Sequence, residues 1–337
     1  MKKNAKVCSP RLGTVGGQAV IEGVMMKSQK LVALSVRKTD GTITTSVEPC
    51  HTIRDKYKIL NLPILRGIVN FGEQMILSFK TLSASADMLG IEEEESKFEK
   101  WLMKVFGKNI AVIASFIGTV LGLFLAVGLF IALPAFLSDL FEKYVSDVRF
   151  LKSLVDGVSK MLIFLLYLAL VSLIPDMRRV FQYHGAEHKS IFCHEGEEEL
   201  TVENVRKQSR FHPRCGTSFL VVLMFIGILV SMLYIKVDLW LRIPIKLLAL
   251  PLIVGIGFEF IRYAGRHNNL LVRILSAPGL WVQRLTTKEP DDGMIEVAIA
   301  SLKAALPEYY PPEVTEDESE AAEDNDGEEN KKEETDS

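Results

Sequence analysis

The densest chemistry in this chain lies between His184 and Cys215, a stretch holding four of the six histidines (His184, His188, His194, His212) and two of the four cysteines (Cys193, Cys215). It opens with His184-Gly185-Ala186-Glu187-His188. Residues four apart on a helix share a face, so both imidazoles project together and Glu187 falls beside them. That spacing suits a divalent metal, zinc first, with a carboxylate close enough to polarise a water. H-x-x-E-H is also the inverzincin pattern, in which two histidines hold zinc and the glutamate is the general base.

Two ligand sets compete. In the first, His184, His188 and Glu259 hold a catalytic metal with one position open, and Glu187 takes the proton of a water. In the second, Cys193, His194, His212 and Cys215 close a structural site that staples the segment. His212-x-x-Cys215 has workable spacing, whereas Cys193-His194 needs a backbone turn, which Glu195-Gly196 permits. Cys215 can also be weighed as a nucleophile, because helix-terminal amides lower a thiol's pKa. The following Gly216-Thr217-Ser218-Phe219 lacks the arginine of a phosphatase-type loop. For Glu259 a plainer role is open, an ion pair with Arg262 three residues on.

The elements that must position these residues are mostly apolar helices. Of 337 residues 48% are hydrophobic, and most of that weight falls between residues 110 and 262. Four stretches are apolar enough to be read as spans: Ile110 to Leu133, closed by Pro134; Leu154 to Ile174, ending at Pro175; Thr217 to Ile235; and Ile243 to Ile261, which carries Lys246, Pro251 and Glu259. The expected fold is an all-α integral membrane protein with about four transmembrane helices. A small N-terminal part, 1–108, adds a β-hairpin, since Asp40-Gly41 joins two β-rich runs, Leu31 to Arg37 and Thr42 to Val47. Ahead of it, Gly16-Gly17 and Gly23 read as turns and close backbone packing, with Gln18 and Glu22 as a lesser site option. Leu62 to Phe79, broken by Arg66 and Glu73, reads as a helix on or near the membrane surface.

The membrane region is 109–266, and the His/Cys loop within it is 176–216. That loop carries Arg178, Arg179, Lys189, Arg206, Lys207, Arg210 and Arg214, while the opposite loops are poor in lysine and arginine. The positive-inside rule therefore puts the loop and both termini in the cytoplasm, with bacterial plasma membrane as the expected location and the thiols in a reducing compartment. The N-terminus has no apolar signal-peptide core, and Ile91 to Lys100 reads as a solvated linker. Residues 267–312 hold an interfacial segment, Leu270 to Leu285, with Trp281 at headgroup depth. A helix capped by Asp291 or Asp292 follows, with the apolar stripe Ile295, Ile299, Leu302 and Leu306.

The tail 313–337 carries thirteen acids and two lysines, so it is expected to be disordered and available to a basic partner. The rest of the chain is net +8, which suits an anionic bilayer. No basic stretch is interleaved with stacking aromatics, so nucleic acid is not expected as a partner. His51 and His267 are single histidines in polar context.

Gly16-Gly17-Gln18-Ala19-Val20-Ile21-Glu22-Gly23-Val24-Met25-Met26, Tyr183-His184-Gly185-Ala186-Glu187-His188-Lys189 and Arg214-Cys215-Gly216-Thr217-Ser218-Phe219 resemble blocks of the YqhQ family of bacterial membrane proteins. Pro278-Gly279-Leu280-Trp281-Val282-Gln283 and Glu296-Val297-Ala298-Ile299 fit it as well. The resemblance covers nearly everything but the acidic tail. It implies a domain of unknown function catalogued among predicted metal-dependent enzymes. The leading expectation is a metal-dependent hydrolase at the cytoplasmic membrane face, acting on a peptide or lipid-linked substrate. The alternative is a membrane scaffold or assembly factor whose metal only rigidifies the loop. Transport ranks third, because the spans show no polar lining beyond Glu259 and no inverted repeat.

Overall fold

The computed structural model describes residues 9–90, 110–145, 148–232, 239–264 and 270–311. The expected linker from Ile91, the acidic tail from Glu313, Cys8 and His267 lie outside the described residues.

The described residues are mostly helical, and the expected N-terminal hairpin is part of a larger, four-stranded sheet built by alternating apolar residues. Strands β1 (Gly16–Val20), β2 (Gly23–Lys27), β3 (Leu31–Arg37) and β4 (Ile43–Pro49) form an antiparallel meander in that order. The expected hairpin is the β3–β4 pair, with Arg37 opposite Ile43. Its turn is set by Gly41 at φ 88° and by Asp40 Oδ1 accepting from Thr42 N at 2.9 Å. The glycine-rich block extends the sheet rather than making turns alone, with Ile21-Glu22 as the two-residue connection.

Period-two alternation gives the sheet two apolar faces. Val24, Met26 and Ala33 face a core shared with Tyr183, Ala186 and Ile191 and with Ile295, Ala298 and Leu302. Val20, Met25, Val32, Leu34 and Val36 face the other way, against Leu77, Ala84 and Met88. The first face is covered by helices α6 (Pro175–Glu195) and α11 (Asp292–Ala305), the second by α2 (Leu65–Met88). Asp291 caps α11, accepting from Met294 N at 2.8 Å, and the stripe Ile295, Ile299, Leu302 and Leu306 is buried. Burying each such side chain stabilises the fold by about 1.5–3 kcal/mol. Segments far apart in sequence thus share one core next to the apolar helices.

Among the described residues, three helical stretches are long and apolar enough to cross a membrane: Ile117–Tyr144, Phe150–Val171 and Leu247–Ala264. The first runs through α3 (Ile110–Val127), a π-helical turn at Gly128–Ala132 and α4 (Leu133–Tyr144). Pro134 does not close it. The wide turn just before the proline absorbs the hydrogen bond a proline cannot make, and Leu133 N donates to Gly128 O. The second stretch lies in α5 (Arg149–Val171). The third lies in α9 (Leu239–Ala264), which keeps Pro244 and Pro251 inside the helix. Of the expected span from Thr217 to Ile235, the described part is helix α8 (Gly216–Ser231), 16 residues long, and residues 233–238 lie outside the described residues. Helix α10 (Leu270–Thr286) packs on α8, where Gly279 lies so close that a Cβ there would sit 2.7 Å from Ser218 Cα.

Glu259 is fixed by a partner the sequence did not announce. Arg66, in the first turn of α2, makes a two-pronged ion pair with it, and Ile64 N donates to the same carboxylate at 3.4 Å. Arg66→Leu alone is expected to destabilise the protein by about 3 kcal/mol, because it strands the opposite charge between two helices. The double change Arg66→Leu/Glu259→Leu is expected to recover most of that loss. Thermal unfolding of the detergent-purified variants checks this; a double variant as weak as the single would show that the pairing matters little.

Candidate metal centre

Helix α6 starts anew after α5 rather than continuing it. The chain turns at Ser172–Ile174, and Pro175 occupies the first helical position, where a missing N–H costs nothing. From Phe181 onward the helix is buried on nearly all sides. His184 and His188 lie one turn apart, with ring centroids 4.4 Å from each other.

Each imidazole is held by its Nδ1. His184 Nδ1 lies 2.8 Å from Thr286 O, and His188 Nδ1 lies 2.6 Å from Arg210 O. A carbonyl only accepts, so both Nδ1 atoms carry a proton, which leaves each Nε2 as the nitrogen that can offer a lone pair to a metal. This is the outer-shell arrangement usual for metal-ligating histidines. Cys215 completes the group, its Sγ 3.2 Å from His184 Nε2. Among the described residues, His184, His188 and Cys215 are the cluster whose ligand atoms all lie within 4.8 Å of one another. Two imidazoles and a thiolate are a donor set that suits zinc with a fourth position left over.

Glu187 sits beside this group, its Oε2 3.9 Å from His184 Nε2. Burial pushes its carboxyl up to about 7, with His184 pulling weakly the other way. Strand β1 supplies the cover. A Cβ on Gly17 would stand 2.7 Å from Met25 O and 3.0 Å from Glu187 Cγ, so the bare strand backbone lies close against the stem of the Glu187 side chain. Gly185 serves the other side of α6, where a Cβ would strike the carbonyl of Lys288. Its absence lets residues 286–290 lie on the helix, with Lys288 N donating to Phe181 O at 2.8 Å, and this brings Thr286 O to His184.

One buried amide ties the remaining pieces together. Gln283 Oε1 accepts from His212 N at 2.8 Å, and its Nε2 donates to His212 O at 2.7 Å and to Ser218 Oγ at 2.9 Å. The segment carrying Arg210 O and Cys215 is thereby bolted to α10, which leads into Thr286 O. Cys215 is also the N-cap of α8, its Sγ accepting from Thr217 N at 3.5 Å.

The β1–β2 turn is held by α6 itself. Glu22 sits at φ 49°, and Arg179 grips its carboxylate with two bonds of 2.5 Å while Tyr183 OH donates to it at 3.2 Å. The hydrogen bonds from Arg179 hold Glu22 below the usual carboxylate range, and burial pushes the Tyr183 phenol up.

The other expected ligands are placed elsewhere. Glu259 does not join the histidines, because Arg66 takes both its oxygens. The four-ligand Cys193/His194/His212/Cys215 set does not assemble. Cys193 Sγ points to Glu199 O at 3.4 Å within the sheet core, and burial raises its thiol to about 11. His194 is held between Thr14 Oγ1 (3.0 Å) and Tyr310 OH (2.9 Å), and burial lowers it to about 4. His212 lies 3.6 Å from Glu195, meets the Phe192 ring at a tilt of 59° and is likewise lowered to about 4 by burial. Of that set only Cys215 reaches His184. Gln283, Gly17 and the two carbonyls are functional neighbours that pattern reading passes over, though a lone glutamine in the apolar run from Leu280 to Leu285 was a signal.

A family model described as a protein of unknown function (DUF1385) matches residues 62–308. A curated protein of Bacillus subtilis (strain 168), the uncharacterized protein YqhQ, is 35% identical over 293 residues, covering 86% of this chain and 92% of the relative. No solved structure matches the chain.

Proposed function

The chain belongs to the DUF1385 family, and from that premise and the site geometry we propose that it is a metal-dependent hydrolase working at a membrane surface. The observation that carries this is the convergence of His184, His188 and Cys215 with both Nδ1 atoms already donated to backbone carbonyls. Zinc held by these three residues would supply Lewis acidity toward a water and toward the oxygen of a carbonyl or phosphoryl substrate. Glu187 is the group placed to take the proton. As the water oxygen bonds to the substrate centre, the carboxylate accepts its proton; as the bond to the leaving group breaks, the same proton passes to the departing atom. The strand backbone at Gly17 and the neighbouring helices shield the carboxylate from bulk water.

Three apolar helices among the described residues support placing the protein in a bilayer, and the lysine and arginine count favours the cytoplasmic side for the site. Because Cys215 caps the apolar helix α8, the reacting position lies at headgroup depth. A peptide or lipid-linked substrate presented there fits the site. Near-complete burial of His188, 1% exposed, favours one second reading: a closed structural centre with Glu187 as fourth ligand, in a scaffold.

Titration with Co²⁺ in place of zinc tests the site directly. The detergent-purified full chain is expected to bind one Co²⁺ and to show a thiolate-to-cobalt absorption band, which Cys215→Ser removes while Cys193→Ser does not. Absence of that band from the unaltered protein would sink the ligand assignment.

A further inference from the structure

We propose that residues 50–66 form a re-entrant wedge whose tip, Leu62 to Leu65, is inserted among the acyl chains of the leaflet on the side of the metal site. It rests on the bilayer placement proposed above. After β4 the chain does not cross to another face of the sheet. It doubles back along α2 through α1 (Ile53–Lys56) and a short 3₁₀ turn, Lys58–Asn61. Glu73 of α2 pins this descending limb, accepting from Thr52 Oγ1 and from Ile53 N, both at 2.7 Å.

The reversal at the tip is a strained one. Ile64 has φ 70° and ψ −55°, and Leu65 N donates back to Pro63 O at 2.9 Å, a γ-turn of the rare hand centred on a β-branched residue. Such a conformation persists only where its surroundings over-determine it. Here they are glycines. A Cβ on Gly255 would stand 3.1 Å from Ile64 Cα, and one on Gly67 would stand 3.1 Å from Gly255 Cα, so tip and α9 meet backbone to backbone.

That contact sets the depth. Gly255 lies nine residues inside the Ala264 end of the candidate span, ~13 Å along the axis at ~1.5 Å per residue. If α9 crosses the bilayer, the tip docked on Gly255 is below the headgroups and within the hydrocarbon.

Two further features fit that solvent and not water. Non-helical backbone at membrane depth must satisfy its polar groups internally. The amides of Leu62, Ile64, Leu65, Arg66, Gly67 and Ile68 all donate within the protein, to Ile59 O, Glu259, Pro63 O, Leu62 O, Ile64 O and Ile64 O. Charges at that depth must be paired, and Arg66 and Glu259 neutralise each other side by side. The side chains left outward at and beside the tip are Ile59, Leu62, Pro63 and Leu65, with Asn61 the one polar member, its Nδ2 donating to Arg54 O at 3.3 Å. Tyr57 with Lys56 and Lys58 follows higher on the limb, the aromatic and basic residues that favour the interface.

Tryptophan depth-quenching tests the wedge. Leu62→Trp, Leu248→Trp and Val47→Trp are placed one at a time in the full chain, in nanodiscs whose phospholipid acyl chains carry bromine. Each is read as the difference from the parent protein, so native tryptophans cancel. Leu248, 83% exposed on α9, reports the bilayer itself, and Val47 on β4 reports solvent. Emission added at 62 and 248 is expected to be mostly lost, and that added at 47 retained. Quenching at 248 without quenching at 62 overturns the wedge and leaves the bilayer placement standing. No quenching at 248 overturns both. Should Leu62→Trp not fold, Ile59→Trp carries the same test.

Discussion

Glu187→Gln is expected to keep one metal bound per chain and to lower hydrolytic turnover by about 10²–10⁴-fold, the range over which a positioned general base acts. The amide is nearly the same size, so packing against Gly17 survives, but it cannot take a proton. The two readings of the centre part at this point. If Glu187 is a base, metal affinity holds and activity goes. If it is a fourth ligand of a closed site, the amide weakens metal binding and there is no turnover to lose. Panels of fluorogenic peptides and lipid esters, assayed beside metal content, give both readouts. Full activity in Glu187→Gln would remove the carboxylate from the mechanism.

The second large effect is expected at His188. His188→Ala should lower metal affinity by more than the ~10–100-fold typical of losing an outer-shell partner, since it deletes a ligand itself. The comparison that gives this meaning is His194→Ala. His194 is as deeply buried and as fully hydrogen-bonded, to Thr14 and Tyr310, but it stands outside the cluster. Both variants lose stability, because each leaves buried partners unmatched. Only His188→Ala is expected to lose the upward shift in unfolding temperature that added Zn²⁺ gives the native chain. Equal zinc responses in the two variants would count against the whole site.

Much of this site was legible in the sequence. Helical periodicity alone put His184, His188 and Glu187 on neighbouring positions, and the apolar run after Cys215 announced a helix with that thiol at its start. The third member of the cluster was not legible. The only competitor for Glu259 that spacing offered was Arg262, three residues on, whereas the residue that occupies it, Arg66, is nearly two hundred positions away. Cys215 was weighed in a different set, since spacing ties it to His212 but only tertiary folding carries it to His184. In the fold, the α11 stripe was plain, because Ile295, Ile299, Leu302 and Leu306 repeat at helical intervals. The strands at Gly16–Lys27 were hidden by glycines, whose permissive backbones argue for turns. Pro134 misled for a related reason: a proline ends a regular helix, and only the preceding π-helical turn lets this one go on.

The bare strand over Glu187 makes the centre sensitive to how the meander is zipped. A slip of β1 by one position against β2 would set Gln18 or Gly16 where Gly17 lies, since neighbouring residues point to opposite faces. In the Gln18 register a side chain would have to fit where even a Cβ would meet Met25 O at 2.7 Å. Arg179 and Tyr183 guard against this from the very helix that bears the imidazoles, because their grip on Glu22 fixes where the hairpin bends. Strand alignment and the burial of the Glu187 carboxyl are therefore a single achievement of folding.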